Sequence, residues 1–307
     1  MGEIYHYVII HHNDLDGRCG AAVLRRYLHS RGVGIPYDKI LLIEMDYKDT
    51  LSTDEIADGA EIYIVDFSLK PEVMKQLVET RQPEKIIWLD HHATARDYLK
   101  DYPVLDVNLV TYCDFVDKSR SGCELAWDWC YPDTPAPEVV KLIGDYDKWA
   151  MKYTPECRCF YEGMKMINAG ESALHPDWDY LLSISITAPN DAIQELVGRG
   201  RAAIDYRDAY CNDIRRSFGY ETLFERMDCY AMNVYRFGSA QFGPMLQAHP
   251  VCIAYIHDGK RFTVSLYSEN PHIDCGVLAK KYGGGGHKGA AGFVCEALPF
   301  KRKEGES

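Results

Sequence analysis

Short apolar runs alternate with helical stretches along the first third of the chain. Tyr7–Ile10 predicts a strand, and Gly17–Ser30 predicts a helix with Ala22, Val23, Arg26 and Tyr27 at helical spacing. Leu41–Glu44, Ile62–Val65 and Ile86–Leu89 predict three more strands, and Pro71–Thr80 a helix with proline in its first turn. Strands separated by helices point to a parallel sheet built from βαβ units. Ser121–Cys130 and Pro137–Trp149 carry helical patterns, while 153–190 is mixed and poor in signals. Ala192–Phe218 predicts one long amphipathic helix that tolerates Gly198 and Gly200. Beyond it the period changes. Val251–Ile256 and Arg261–Ser265 predict a hairpin around Asp258–Gly259, and Ile273–Tyr282 a helix running into GGGGHKGAAGF. The expected architecture is α/β: a parallel-sheet domain over 1–190, a helical linker over 191–221, and a smaller α/β domain over 222–307.

The 307 residues are 47% hydrophobic and 26% charged, values ordinary for a globular protein of about two domains. No window approaches the roughly 18 consecutive apolar residues of a membrane span. MGEIYHYVII lacks a basic region before its short apolar run, so no secretory leader is expected and the location predicted is cytoplasmic. The formal charge is −12, and the only basic block is Lys301–Lys303, which argues against a long duplex as partner. A small phosphate-bearing substrate fits if cations supply the positive charge. The eleven cysteines contain no CxxC pair and read as reduced, mostly buried thiols. The Cys157/Cys159 couple is the one candidate among them for a structural zinc site.

The chemistry sits where the predicted strands end. The first runs into His11, His12, Asn13, Asp14, Leu15, Asp16 and Gly17; the third ends at Asp66; the fourth at Asp90, His91 and His92. Ligands of open parallel sheets bind beyond the carboxyl ends of the strands. One Asp after a strand is usually a cap or turn residue. Four of them beside three histidines are a different matter: that many carboxylates in one crevice repel one another strongly, and divalent cations are the remedy. Carboxylate with imidazole and no thiolate favours Mn²⁺, and the ligand count matches a two-metal site of the kind that hydrolyses phosphoesters.

HNDLDG at 12–17, VDF at 65–67, DHH at 90–92, DYDKW at 145–149 and GGGGHKGAAG at 283–292 resemble the successive motifs of the DHH phosphoesterase superfamily. The last resembles the glycine-rich signature of its DHH-associated C-terminal domain. The subgroup most similar is the short two-domain oligonucleotide phosphodiesterases, the nano-RNases. The resemblance implies that His12, Asp14 and Asp66 hold one metal and that Asp16, Asp66, His91 and Asp145 hold the other. Asp66 would bridge them, Asp90 would orient a neighbouring ligand, and His92 would face the scissile phosphate. His11 competes with His12, and the alternation with Asp14 and Asp16 favours His12. Asp147 competes with Asp145, which is preferred because it stands four residues before Trp149. In the C-terminal domain, Gly284, Gly285 and Gly286 with His287 and Lys288 would bind substrate, the glycine amides forming a phosphate nest. Tyr267 stands where the family often has a phosphate-gripping arginine; Arg261 or Lys288 could take that task, or Tyr267 could stack on a base.

The function expected is a phosphodiesterase with two divalent cations, Mn²⁺ above others, that hydrolyses short single-stranded oligonucleotides to mononucleotides through a metal-activated hydroxide. A soluble cyclic-dinucleotide or 3′,5′-bisphosphonucleotide phosphohydrolase is the alternative within the superfamily. A nucleotide sensor without turnover is the alternative outside catalysis. Short length and acidic charge speak against a processive RecJ-type exonuclease, and the glycine-rich segment against an inorganic pyrophosphatase. No membrane partner is expected. The oligomeric state, a homodimer included, is left open.

Overall fold

The structure, a computed structural model, describes residues 3–30, 34–100, 107–115, 117, 119–183, 191–235 and 237–303. The chain divides into two compact units, Met1–Ala202 and Ala203–Ser307.

Unit one is built on a five-stranded, all-parallel sheet of β1 (Tyr5–His12), β2 (Ile40–Met45), β3 (Ile56–Val65), β4 (Lys85–Leu89) and β5 (Leu109–Thr111), in the order β2-β1-β3-β4-β5. The four expected strands are present, each extended by one or more residues. The short β5, which pairs Ile86 with Leu109 and Trp88 with Thr111, has too little pattern to stand out in the sequence. The central strands are buried on both faces, as their continuous apolar runs require: Val8, Ile9, Ile10, Ile62, Tyr63, Ile64, Ile86, Ile87 and Trp88 are all inaccessible to solvent. Helix α1 (Leu15–Ser30) follows β1, and α2 (Pro71–Arg81) connects β3 to β4. β1 therefore leads toward β2 on one side and β3 toward β4 on the other. Their shared border is the topological switch point at which a crevice opens above the strand ends. Helices α3 (Gly122–Cys130), α4 (Glu138–Asp147), α5 (Glu156–Met164) and α6 (Asp177–Leu182) complete the unit. Part of the signal-poor span, 184–190, lies outside the described residues.

Helix α7 (Asp191–Phe218) begins in unit one and ends in unit two. Gly200 is tolerated inside it for a steric reason: a Cβ there would stand 1.7 Å from the carbonyl oxygen of Cys159 on α5. Unit two carries a six-stranded sheet in the order β10-β11-β9-β8-β7-β6. Its strands are β6 (Tyr220–Phe224), β7 (Met227–Asn233), β8 (Cys252–His257), β9 (Phe262–Tyr267), β10 (Gly285–Gly286) and β11 (Ala290–Cys295). The hairpin expected around Asp258–Gly259 is the β8–β9 pair, closed by Asp258 Oδ1 accepting from the amides of Lys260 and Arg261 at 2.8 Å. Short helices α8 (Met245–Ala248) and α9 (Cys275–Lys280) pack on the sheet; α9 is shorter than the expected 273–282 because Asp274 caps it, accepting from Val277 N at 3.0 Å.

Candidate metal centre

The end of β1 is where alternation decides between two histidines. His11 and His12 point to opposite faces of the strand. His11 is 2% exposed, with Nδ1 2.8 Å from its neighbour's carbonyl oxygen, whereas His12 faces the crevice. His12 Nδ1 lies 2.8 Å from Asp14 Oδ2 and 3.9 Å from Asp66 Oδ2. Asp14 Oδ1 accepts from Gly17 N at 2.9 Å, so the start of α1 holds this carboxylate. Burial pushes Asp14 up, but the His12 hydrogen bond and charge and the Gly17 amide outweigh it and hold the carboxyl well below the usual range.

Asp66 follows β3 in a left-handed conformation, φ 53°, uncommon for a residue with a side chain, while its amide donates to Leu89 O at 2.9 Å. That turn buries the carboxylate in the crevice with its two oxygens facing different neighbours. Oδ2 lies toward His12, and Oδ1 stands 3.1 Å from His91 Nε2 and 3.8 Å from His92 Nδ1. His91 Nε2 is the most crowded point. Asp66 Oδ1, Asp147 Oδ2 and Asp16 Oδ2 lie 3.1, 3.3 and 3.9 Å from it.

Asp16, 1% exposed, also caps α3. It accepts from Ser121 Oγ at 2.8 Å, Gly122 N at 2.6 Å and Cys123 N at 3.1 Å. Asp90 is fully buried and accepts from the amides of His91 and His92, from His92 Nδ1 at 2.7 Å and from Ser68 Oγ. Asp90 thus orients His92. Burial lowers the basicity of His92, but the hydrogen bond and charge of Asp90 outweigh it and raise its pKa above the ordinary value.

Of the pair left open near the end of α4, the structure places Asp147, not Asp145, in this cluster. Asp145 turns away and accepts from the amides of Lys152 and Tyr153, each at 2.9 Å, fixing the turn after the helix. Residues two apart on a helix lie on opposite sides. Asp147 continues the inward stripe of Val140 and Ile143 at i, i+3, i+7, a signal the sequence did carry; the four-residue spacing to Trp149 pointed instead to Asp145.

Three groups of residues could each hold an ion: His12, Asp14 and Asp66; Asp66, His91 and His92; and Asp16, His91 and Asp147. Oδ2 of Asp66 and Oδ2 of Asp147 are buried without a hydrogen-bond partner. Such oxygens are costly to bury unless they are protonated or coordinated. Burial, with the charges of Asp16 and Asp14, raises Asp66 well above the carboxylate range and Asp147 up to about 8. The donor set is hard oxygen plus imidazole, and it fits a divalent cation. Cys157 and Cys159 belong to no such group among the described residues; both are buried free thiols, Cys157 Sγ lying 3.6 Å from Thr154 Oγ1.

The glycine-rich segment differs from the nest expected of it. The amides of Gly283 and Gly284 donate to Lys280 O and Ala279 O, and that of His287 to Ala290 O, so three amides of the run serve the fold. Two of the glycines are needed because strands approach: a Cβ on Gly284 would stand 2.1 Å from Gly292 O, and one on Gly286 2.5 Å from Ala291 Cα. His287 and Lys288 are exposed on the turn between β10 and β11. Tyr267 is half-buried and packs near Phe242, ring centroids 5.8 Å apart, while Arg261 is exposed at the β8–β9 turn.

No helix among the described residues is long and apolar enough to cross a membrane. An uncharacterized protein, R106, of Acanthamoeba polyphaga mimivirus is 24% identical over 317 residues, covering 96% of this chain and 70% of its own length. The pGpG-specific phosphodiesterase PggH of Vibrio cholerae shares the fold at 12% identity, with a TM-score of 0.54 over 94% of this chain and 93% of its own. RecJ of Thermus thermophilus, in complex with Mn²⁺, is similar at 16% identity and a TM-score of 0.48, over 94% of this chain and 49% of its own. Residues 6–146, which contain His12, Asp14, Asp16, Asp66, Asp90, His91 and His92, match the model of the DHH family, N-terminal domain. Over those residues, somewhat less than half of its length, the chain is similar to the DHH family.

Proposed function

We propose that the protein is a divalent-metal-dependent phosphodiesterase that hydrolyses short single-stranded oligonucleotides to mononucleotides. The observation that carries the metal-dependent part is the pair of buried, unpartnered carboxylate oxygens on Asp66 and Asp147, set among three histidines at the switch point of a parallel sheet. His12, Asp14 and Asp66 Oδ2 would hold one ion; Asp66 Oδ1, Asp16, His91 and Asp147 would hold the other. Mixed imidazole and carboxylate favour Mn²⁺. When bound, such ions supply Lewis acidity and neutralise charge on the phosphate. Asp90 holds the His92 ring through Nδ1, leaving Nε2 to donate to a phosphate oxygen. The raised pKa of His92 favours the charged, donating form.

A substrate of a few nucleotides suits a chain of formal charge −12. The pGpG named for the Vibrio protein, which shares this fold, is a linear dinucleotide of the size proposed. In unit two, the segment Gly284–Lys288 is proposed to bind a substrate phosphate through the exposed side chains of His287 and Lys288. The reading places the enzyme among cytoplasmic hydrolases.

The test is turnover of a dinucleotide, a cyclic dinucleotide, a 3′,5′-bisphosphonucleoside, pyrophosphate and a long single strand, with Mn²⁺ and with chelator. Mn²⁺-dependent release of mononucleotides, falling steeply from dimers to tens of nucleotides, is expected. Equal rates on dimer and long strand would favour a long-strand exonuclease. Preference for the cyclic or bisphosphorylated substrate would move the assignment to that class. Full activity in excess chelator would remove the metal from the mechanism.

A further inference from the structure

Among the exposed large aromatics of unit one, Tyr47 stands beside the candidate metal centre and is used by none of the roles assigned above. It lies two residues beyond β2. The parallel register pairs His12 with Met45, so residue 47 reaches the level at which the chain after β1 delivers Asp14. The residue is 41% exposed. One face of its ring stacks on Phe67, with centroids 4.9 Å apart and planes at 30°, and Phe67 is itself 3% exposed. The centroids of the His12 and His92 rings lie 5.6 and 6.1 Å from it. The turn that carries it is tied down, Asp46 N donating to Asp49 Oδ2 at 2.8 Å and Asp49 N to Asp46 O at 2.9 Å.

An exposed ring costs hydrophobic free energy, and this one is pre-positioned by a buried partner at the edge of a polar site. Base–aromatic stacking is the interaction such a platform offers, and it tolerates any base because each has a π-face. We infer that Tyr47 is the stacking platform for the nucleobase adjoining the scissile phosphate. The inference rests on the phosphodiesterase reading and gives it a recognition element for the base. Pyrophosphate and other base-free phosphates would gain nothing from Tyr47.

The experiment compares Tyr47→Ala, Tyr47→Phe and Tyr47→Trp on a dinucleotide and on the same dimer lacking its bases, with Mn²⁺. Bound metal is measured for each variant. Tyr47→Ala is expected to raise KM for the dinucleotide by about 5- to 150-fold, the range that stacking energies per base imply. It should leave metal content, kcat and the base-free reaction within about twofold. Tyr47→Phe and Tyr47→Trp should keep the wild-type KM. Equal KM for wild type and Tyr47→Ala on the dinucleotide overturns the inference, as does an equal loss on both substrates. A loss in Tyr47→Phe as large as in Tyr47→Ala overturns it in favour of a hydroxyl contact. Wild-type protein inactive on every dinucleotide would instead refute the phosphodiesterase reading, and this inference with it.

Discussion

Gly122 lies flush against Asp66. A Cβ on Gly122 would stand 2.3 Å from the Cβ of Asp66 and 2.8 Å from its Cγ. The same glycine donates its amide to Asp16 Oδ2 at 2.6 Å. One residue without a side chain thus lets the start of α3 approach the strained turn of Asp66 while it fixes a second carboxylate of the cluster. Replacing Gly122 by Ala must push either the helix or Asp66 aside. The expected cost is about 1–3 kcal/mol of stability from overpacking, with loss of bound metal and of most activity in a protein that still folds. Metal analysis, circular dichroism and turnover measure this; a Gly122→Ala protein with wild-type metal and activity would show that the crevice does not depend on this contact.

Asp145 and Asp147 separate by function. Asp147→Asn should lower metal content and turnover steeply with little loss of stability, because a buried unpartnered oxygen is replaced. Asp145→Asn should keep metal bound but weaken the acceptor of two backbone amides. That costs about 1–3 kcal/mol, read as a lower Tm. The reverse pattern would restore Asp145 as the ligand.

Metal and protons compete at Asp66 and Asp147. Without metal, burial and the neighbouring carboxylates raise Asp147 from 3.8 to about 8, so it holds its proton at neutral pH. A carboxyl whose folded-state pKa is raised contributes stability that is full below the unfolded value and is lost as pH rises through the folded one. The metal-free protein should therefore lose Tm between about pH 4 and 8. Cation binding at pH 7 should release protons, and affinity should weaken as pH falls. Calorimetry in two buffers of different ionisation enthalpy reads the release directly. Binding with no proton release, and a metal-free Tm flat across that window, would contradict these shifts.

His287 is exposed on a turn whose backbone is satisfied by its own hydrogen bonds. Replacing it by Ala should leave folding and metal content unchanged. Loss of a hydrogen bond to a charged phosphate, about 1.5–3 kcal/mol, should lower kcat/KM on oligonucleotides by about one to two decades. Unchanged kcat/KM would remove His287 from substrate binding.

The strand-end positions of His12, Asp66, Asp90, His91 and His92 could be read from the chain alone. Apolar runs of strand length, punctuated by helices, imply parallel strands, and parallel strands bring their carboxyl ends to one edge. Alternation with Asp14 and Asp16 likewise singled out His12 over His11, since both rules are local. What tertiary structure alone decided lies where backbones meet or helices end. Gly122 looked like a residue at the start of a helix, and only its approach to Asp66 explains it. The glycines at 283–286 suggest free amides in one dimension; in three, Gly284 and Gly286 are spacers that let β10 close on β11, and the amides of Gly283 and Gly284 donate to α9. Asp145 and Asp147 differ by two residues, and their directions depend on which face of α4 the sheet covers. Tyr47 had no motif to mark it, because its place beside His12 and His92 comes from strand register and from Phe67 beneath it. Local periodicity sets the direction of a strand or helix, but the neighbour across a packed contact is chosen by the whole fold.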